Sequence, residues 1–309
     1  MSSSEVEVLV VGAGVSGLTT AVCLAESGLR VKLLAAGTGS ATTSFAAGAT
    51  WSPYLVEWTE RARAWSFETL NTLRELAAAP DTGIRLVTGV EASPQPVEPP
   101  DWHDRLDDFR PTADLPPGFV TGWRWTAPVA DMPAYLAYLR TRAEKADVTV
   151  EERTVHRLDL APTVVNCTGI GARDLVPDSA MIPVRGQVVI AENPGLTEWF
   201  VGEGDPPVYF FPHGDTVLLG GTTQTGDRNM SPDAALAIAI RDRCVAIEPR
   251  LADARIIGHR VGLRPARPTI RLERERIGGT QVVHNYGHGG AGVTLSWGCA
   301  REVRRLLSS

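Results

Sequence analysis

Six residues near the start of the chain, Gly12-Ala13-Gly14-Val15-Ser16-Gly17, limit its possible folds more than any other stretch. Residues 6–11 before them are nearly all apolar, as in a strand buried on both faces of a parallel sheet. Residues 18–27 after them have helical spacing, Gly28 is a stop, and Val31–Ala35 reads as a second strand. Each glycine has a physical task in such a unit. Gly12 permits the tight turn, Gly14 lets a pyrophosphate come near the backbone, and Gly17 lets helix and strand pack closely. The helix start then offers unpaired N–H groups and a positive dipole end to phosphates. A strand before this turn and a helix after it point to a bound dinucleotide.

One element of the usual arrangement is missing. No acid stands at the end of the second strand, where it would bind the adenosine ribose, because the chain reads Leu34-Ala35-Ala36-Gly37. Either main-chain groups do that work or affinity comes from elsewhere. Near the other end, a strand at 281–285 leads through a second glycine-rich turn, 287–292, into a final helix at 293–307. An N-terminal βαβ unit combined with a C-terminal glycine turn suits an extended FAD better than NAD, by fold-level analogy.

Between the two glycine turns the pattern changes. Residues 42–54 are small, polar and aromatic, a loop able to approach a ligand closely, and 59–79 reads as a helix with Leu70, Leu73 and Leu76 on one side. Prolines and turn signals crowd residues 80–128, which read as an irregular segment or a different domain. Met132–Lys145 is an amphipathic helix, and short runs at 148–150, 155 and 163–165 look like strands rejoining the first sheet. Alternating strands and turns over 184–221 indicate an antiparallel sheet, followed by a helix at 232–247 and an extended, Arg-rich stretch at 255–276. The expectation is an α/β fold: a Rossmann-like FAD-binding domain with an interleaved antiparallel-sheet (α+β) substrate domain. The FAD-binding domain is placed at 1–58, 129–180 and 266–309, and the substrate-binding domain at 59–128 and 181–265. At 309 residues, two domains are also what length alone suggests.

Thirty Lys and Arg against 36 Asp and Glu give a net charge of −6, which argues against a phosphate-backbone partner. Glu273 and Glu275 interrupt the Arg-rich stretch, so it does not read as a nucleic-acid patch. Cys23, Cys167, Cys244 and Cys299 are far apart and form no C-x-x-C pair, so no metal site or disulfide framework is expected. No apolar run approaches the ~20 residues of a membrane span. No Lys or Arg precedes Arg30, and the last three residues spell no peroxisomal address. A cytoplasmic protein, with a homodimer among its possible assemblies, is the expectation.

The stretch Val282-Val283-His284-Asn285-Tyr286-Gly287-His288-Gly289-Gly290-Ala291-Gly292, with Gly298 and Ala300, resembles the signature of the D-amino-acid oxidase family, which includes D-aspartate oxidase. Other blocks look like family blocks in family order. They are Val164-Val165-Asn166-Cys167-Thr168-Gly169, Arg185-Gly186-Gln187, residues 262–268 and residues 271–275. Thr42-Thr43-Ser44 with Ala47-Gly48-Ala49-Thr50-Trp51 resembles the flavin loop of microbial members. The resemblance covers nearly the whole chain.

It implies FAD as cofactor, a D-amino acid and molecular oxygen as substrates, and hydride transfer from the α-carbon to flavin N5. The products would be a 2-oxo acid, ammonia and hydrogen peroxide. Arg264 and Tyr209 would hold the substrate carboxylate. A guanidinium suits this because its planar fork pairs bidentately and never deprotonates. Taken alone, Arg264 would read as a surface arginine and Tyr209 as a half-buried strand tyrosine beside Phe210 and Phe211. The Gly290 carbonyl would accept a hydrogen bond from the substrate amine. Gly289, Gly290, Gly292 and Thr294 would present N–H groups and a hydroxyl to the flavin ring. Thr42, Thr43, Ser44, Gly48 and Ala49 would contact phosphate and flavin, and Val155 and Thr168 would lie along the adenosine and pyrophosphate. No side chain is expected to act as an acid or base. His284 and His288 lack an accompanying carboxylate in sequence and read as strand-packing and flavin-loop residues, not metal ligands.

Two departures bear on the substrate. The stretch Glu203-Gly204-Asp205-Pro206-Pro207 has no tyrosine where eukaryotic members carry one on a longer lid, so access should be more open. Thr223 stands where D-aspartate oxidases place an arginine for the side-chain carboxylate, and an unpaired buried carboxylate is costly. Neutral or apolar D-amino acids are therefore expected, although Arg228 lies close enough in sequence to help an acidic one. The alternatives are a D-aspartate oxidase, a glycine or N-methyl amino acid oxidase, a dehydrogenase passing electrons to a quinone, or a flavin-binding protein without activity.

Overall fold

The computed structural model describes residues 6–308. Residues 1–5 and 309, where the expected FAD-binding domain begins and ends, lie outside the described residues. In chain order the elements are β1 (Val8–Val11), α1 (Val15–Glu26), β2 (Val31–Ala35), α2 (Glu60–Ala77), β3 (Ile84–Ser93), β4 (Asp107–Pro111) and β5 (Thr121–Ala130). They continue with α3 (Met132–Lys145), β6 (Thr149–Glu152), β7 (Thr163–Asn166), α4 (Ala172–Leu175), β8 (Ile182–Glu192), β9 (Trp199–Gly202) and β10 (Val208–His213). Last come β11 (Thr216–Gly220), β12 (Gln224–Thr225), α5 (Ala234–Ile247), β13 (Ile256–Ala266), β14 (Arg271–Ile277), β15 (Thr280–Tyr286) and α6 (Gly292–Ser308).

The smaller sheet has the order β14-β15-β7-β1-β2-β6 and is parallel except for the β14–β15 pair. All four residues of β1 are buried, because helices cover its sheet and leave no wet face for polar side chains. α1 packs against α3 and α6, and α2 against α6. β2 flanks β1 on one side and β7 on the other. This arrangement opens a crevice beyond the carboxyl end of β1, the usual ligand position in such sheets.

The larger sheet runs β12-β8-β11-β10-β9-β3-β5-β4, with β13 also on β8, and only β3 and β9 pair parallel. Residues 80–128, expected to be an irregular segment or a different domain, contribute two long regular strands to the larger sheet. β3 and β5 pair without interruption from Ile84↔Ala130 to Ser93↔Thr121. Pro94, Pro96, Pro99, Pro100, Pro116 and Pro117 sit in the connection between them, not in the ladder. Burial along β3 does not alternate, which hides the period-2 signal. The Arg-rich stretch divides into β13 in the larger sheet and β14 in the smaller. No strand forms at Val155, which lies in the loop after β6.

One hydrophobic cluster joins the two sheets, with Val10 and Leu33 from the smaller and Trp125, Val188, Trp199 and Leu218 from the larger. The sheets are therefore held at a defined spacing, with the ligand space between them.

Candidate active site

A cavity of about 560 Å³ has walls from both sheets. At one end is the turn between β1 and α1. Gly12 has φ +113°, and a Cβ there would lie 2.3 Å from the Cys167 carbonyl oxygen. A Cβ on Gly17 would lie 1.8 Å from the Gly12 carbonyl oxygen, so Gly17 sits behind the wall and locks turn to helix. Gly12, Ala13, Gly14, Val15 and Ser16 form the wall itself.

The loop after β2 closes over this turn. The Val15 N–H donates to Ser44 Oγ at 3.0 Å, and Thr43 Oγ1 donates to the Leu263 carbonyl at 3.1 Å, tying the loop to β13. Thr42, Gly48, Ala49, Val155 and Thr168 also line the cavity. Asn166 Oδ1 accepts from both the N–H and the hydroxyl of Thr168. Where an acid is missing, Ala36 and Gly37 share the wall with Arg153 and Thr154.

Gly289, Gly290 and Gly292 line the cavity near the start of α6. Two of their N–H groups are engaged within the chain: Gly289 donates to Pro265 at 2.9 Å and Gly290 to Tyr54 at 3.0 Å. Thr294 lies off the wall, where its hydroxyl donates to the Ser52 carbonyl and accepts from the Ser52 N–H. It holds the 52–54 loop in place and does not face the cavity.

His288 is on the wall and bonds Asn285 Oδ1 through Nε2 at 3.0 Å. Burial pushes it down to about 4, so it is neutral at ordinary pH. His284 is held between Glu275 and Asn166.

The far end of the cavity is built from side chains of the larger sheet. The Arg264 guanidinium lies across Gly186, where any Cβ would stand about 2.5 Å from its nitrogens, and Nη1 donates to the Thr222 carbonyl at 3.0 Å. Tyr209 lies in the same way across Gly220, where a Cβ would meet the ring at 2.0 Å. The two side chains adjoin: burial pushes the Tyr209 phenol up, while the Arg264 charge and hydrogen bond oppose that shift. Tyr54 completes the mouth. Its ring lies under the Arg264 guanidinium, 5.7 Å from centroid to charge, and its hydroxyl meets Thr223 Oγ1 at 3.0 Å. Residues 203–207 form the β9–β10 connection, and Pro207 reaches the wall. Arg228 is not on the wall. It is a surface residue paired with Asp174 at 3.7 Å.

Of the residues expected from sequence to bind cofactor or substrate, all but Gly17 and Thr294 line this one cavity. Sequence reasoning missed Tyr54, Glu91, Trp125 and Trp199, which line it too. Tyr54 closed the loop already marked as ligand-approaching. The other three lay unmarked in strands or their neighbourhood.

A family model described as DAO, FAD dependent oxidoreductase, matches residues 7–306. The chain belongs to this family. The FAD dependent oxidoreductase is 46% identical to a D-amino-acid oxidase of Rubrobacter xylanophilus, over 97% of this chain and 95% of that one. It is 47% identical to a D-amino-acid oxidase of Streptomyces coelicolor (98% and 97% covered) and 38% identical to human D-aspartate oxidase (97% and 94%). Among solved structures, glycine oxidase from Bacillus cereus superposes with TM-score 0.81 at 19% identity, covering 98% of this chain and 95% of that one. At that identity the likeness is one of fold.

The cavity of this FAD dependent oxidoreductase fits its cofactor. The β1–α1 turn leaves room at Gly12 and Gly14 for phosphates beside a helix N-terminus, and Gly48, Ala49 and Val188 make a low wall toward Tyr209. No described helix is long and apolar enough to cross a membrane.

Proposed function

We propose that this FAD dependent oxidoreductase oxidises D-amino acids, consuming oxygen and water and releasing a 2-oxo acid, ammonia and hydrogen peroxide. The observation that carries this reading is Arg264 beside Tyr209 on the same cavity as the nucleotide-binding turn. The two named D-amino-acid oxidases at 46% and 47% identity support it. Bound FAD supplies the two-electron acceptor for the substrate Cα–H and the route to oxygen.

The chain's own residues bind, orient and exclude water. Arg264 receives the substrate carboxylate as a charge-assisted pair and Tyr209 donates a second hydrogen bond. The Gly290 carbonyl accepts from the amine and fixes which face of Cα is presented. Gly12–Ser16, Thr42, Thr43, Ser44, Gly48, Ala49, Val155, Thr168, Gly289 and Gly292 hold the cofactor. Orienting the two reactants is the task of these residues, and no side chain needs to move a proton. His288 supports this reading, being buried, neutral and already bonded to Asn285.

Thr223 is engaged with Tyr54 and offers no cation, and Arg228 is turned to the surface. Both support neutral or apolar side chains over acidic ones. The cofactor body is 1–58, 129–180 and 266–309, and the substrate body 59–128 and 181–265. Four free cysteines support a reducing, cytoplasmic setting.

An anaerobic absorbance spectrum tests the reading. D-alanine and D-methionine should bleach the yellow band and the L-forms should not. A flavin that no D-amino acid bleaches overturns it.

A further inference from the structure

We propose that the cavity carries a charge-selective subsite in which the Glu91 carboxylate receives the terminal cation of a D-amino acid bearing an ammonium or guanidinium side chain. The proposal rests on Arg264 and Tyr209 being the carboxylate clamp. Glu91 is on the wall of the same cavity. Its position relative to the clamp follows from strand register: Glu91 pairs with Val201 across β3–β9, and Val201 with Tyr209 across β9–β10. Residues in one such row share a face, and two strand spacings place their Cα atoms about 10 Å apart. With its carboxylate at Tyr209 and Arg264, a substrate extends a lysine-like chain of about 6 Å into that gap.

The surroundings suit a cation. Trp125 and Trp199 meet edge to face at 5.0 Å on the same wall, and aromatic faces attract ammonium and guanidinium groups. No cationic side chain is among the groups acting on Glu91. A structural acid half-buried on such a wall would be expected to have such a partner, because an unpaired carboxylate is costly to withdraw from water. The Trp125 N–H is buried and completes no hydrogen bond among the described residues, although it lies close enough to favour the ionised form of Glu91. The carboxylate is thus left for a cation to pair with, whereas the Trp125 N–H is a donor that a cation cannot satisfy and has Glu91 as its nearby acceptor. Burial, and then the Glu203 charge, push the carboxyl up to about 7. Near neutrality the subsite therefore exists in two forms, an uncharged one for neutral side chains and an ionised one for cations.

The FAD-loaded enzyme tests this with paired substrates that differ by the terminal ammonium group: D-lysine with D-norleucine, and D-ornithine with D-norvaline. Glu91→Gln should lower the D-lysine to D-norleucine ratio of kcat/KM about tenfold, as expected for losing a hydrogen bond to a charged group. An unchanged ratio in a variant that binds FAD overturns the proposal. Should Glu91→Gln fail to load FAD, Glu91→Asp keeps the charge and withdraws it by one methylene. The ratio of D-lysine to D-ornithine should then rise, and no change overturns the proposal. Turnover of D-norleucine with no effect on these ratios overturns the subsite alone. No turnover of any D-amino acid overturns the clamp reading and the subsite together.

Discussion

The β1–α1 end of the cavity is walled by backbone. Three glycines within six residues bring N–H groups and a helix start to the surface, and side chains serve mainly to brace them, as Ser44 does for Val15. The Tyr209 end is walled by side chains whose backbones are far apart in sequence: Tyr54, Glu91, Tyr209 and Arg264. Backbone recognition of this kind must be contiguous in the chain, and it tolerates almost no added volume. Side-chain recognition can be assembled from any strands that share a face, and its members can be changed singly without collapse of the wall.

The severest test of this contrast is Gly17→Ala. The new Cβ would meet the Gly12 carbonyl oxygen at 1.8 Å and its carbon at 2.8 Å, backbone atoms that cannot swing aside as a side-chain end could. Overpacking of this sort costs about 1–3 kcal/mol and shifts the backbone that contacts phosphate. Purified Gly17→Ala protein should be colourless, with added FAD failing to restore activity. A yellow, active variant would mean that the turn is not held by close packing.

Arg264→Ala should break the other end while leaving the first intact. Removing one partner of a buried, hydrogen-bonded charge pair costs about 2–5 kcal/mol, so kcat/KM should fall at least thirtyfold for every amino acid, mostly through KM. The flavin spectrum should be unchanged. If KM does not move, the carboxylate sits elsewhere; if FAD is lost as well, the two ends are not separable.

The same contrast explains what could be read before the structure. The phosphate turn and the 287–292 glycine turn were legible because backbone sites write themselves as short runs between a strand and a helix. Arg264 and Tyr209 were legible only through resemblance, since neither residue announces its partner. Glu91 was not legible at all. Its role depends on register across β3, β9 and β10, and β3 lay in a stretch whose prolines masked a ten-residue strand. Thr294 illustrates a related point, its hydroxyl being shared with Ser52. The helix start was placed correctly, but which of its polar groups the 52–54 loop would claim is a tertiary matter.

The smallest expected effect sharpens the contrast by using a side chain that titrates. Glu91 is pushed up to about 7 by burial and by Glu203 from the β9–β10 connection, against the opposing pull of the Trp125 N–H on β5. Its carboxyl is neutral below that value and charged above it. For D-lysine, kcat/KM relative to D-norleucine should therefore rise with pH, roughly tenfold from one unit below to one unit above. Taking the ratio cancels the ionisation of the substrate amine, which both share, and any titration in the phosphate wall. The shift also has a stability consequence of the opposite sense. Between the ordinary value of 4.5 and about 7 the folded chain keeps a proton that the unfolded chain releases, so stability falls as pH rises through that window. Glu91→Gln should flatten both profiles. A flat ratio in the unsubstituted enzyme would mean that Glu91 stays in one protonation state throughout and does not switch the pocket between neutral and cationic side chains.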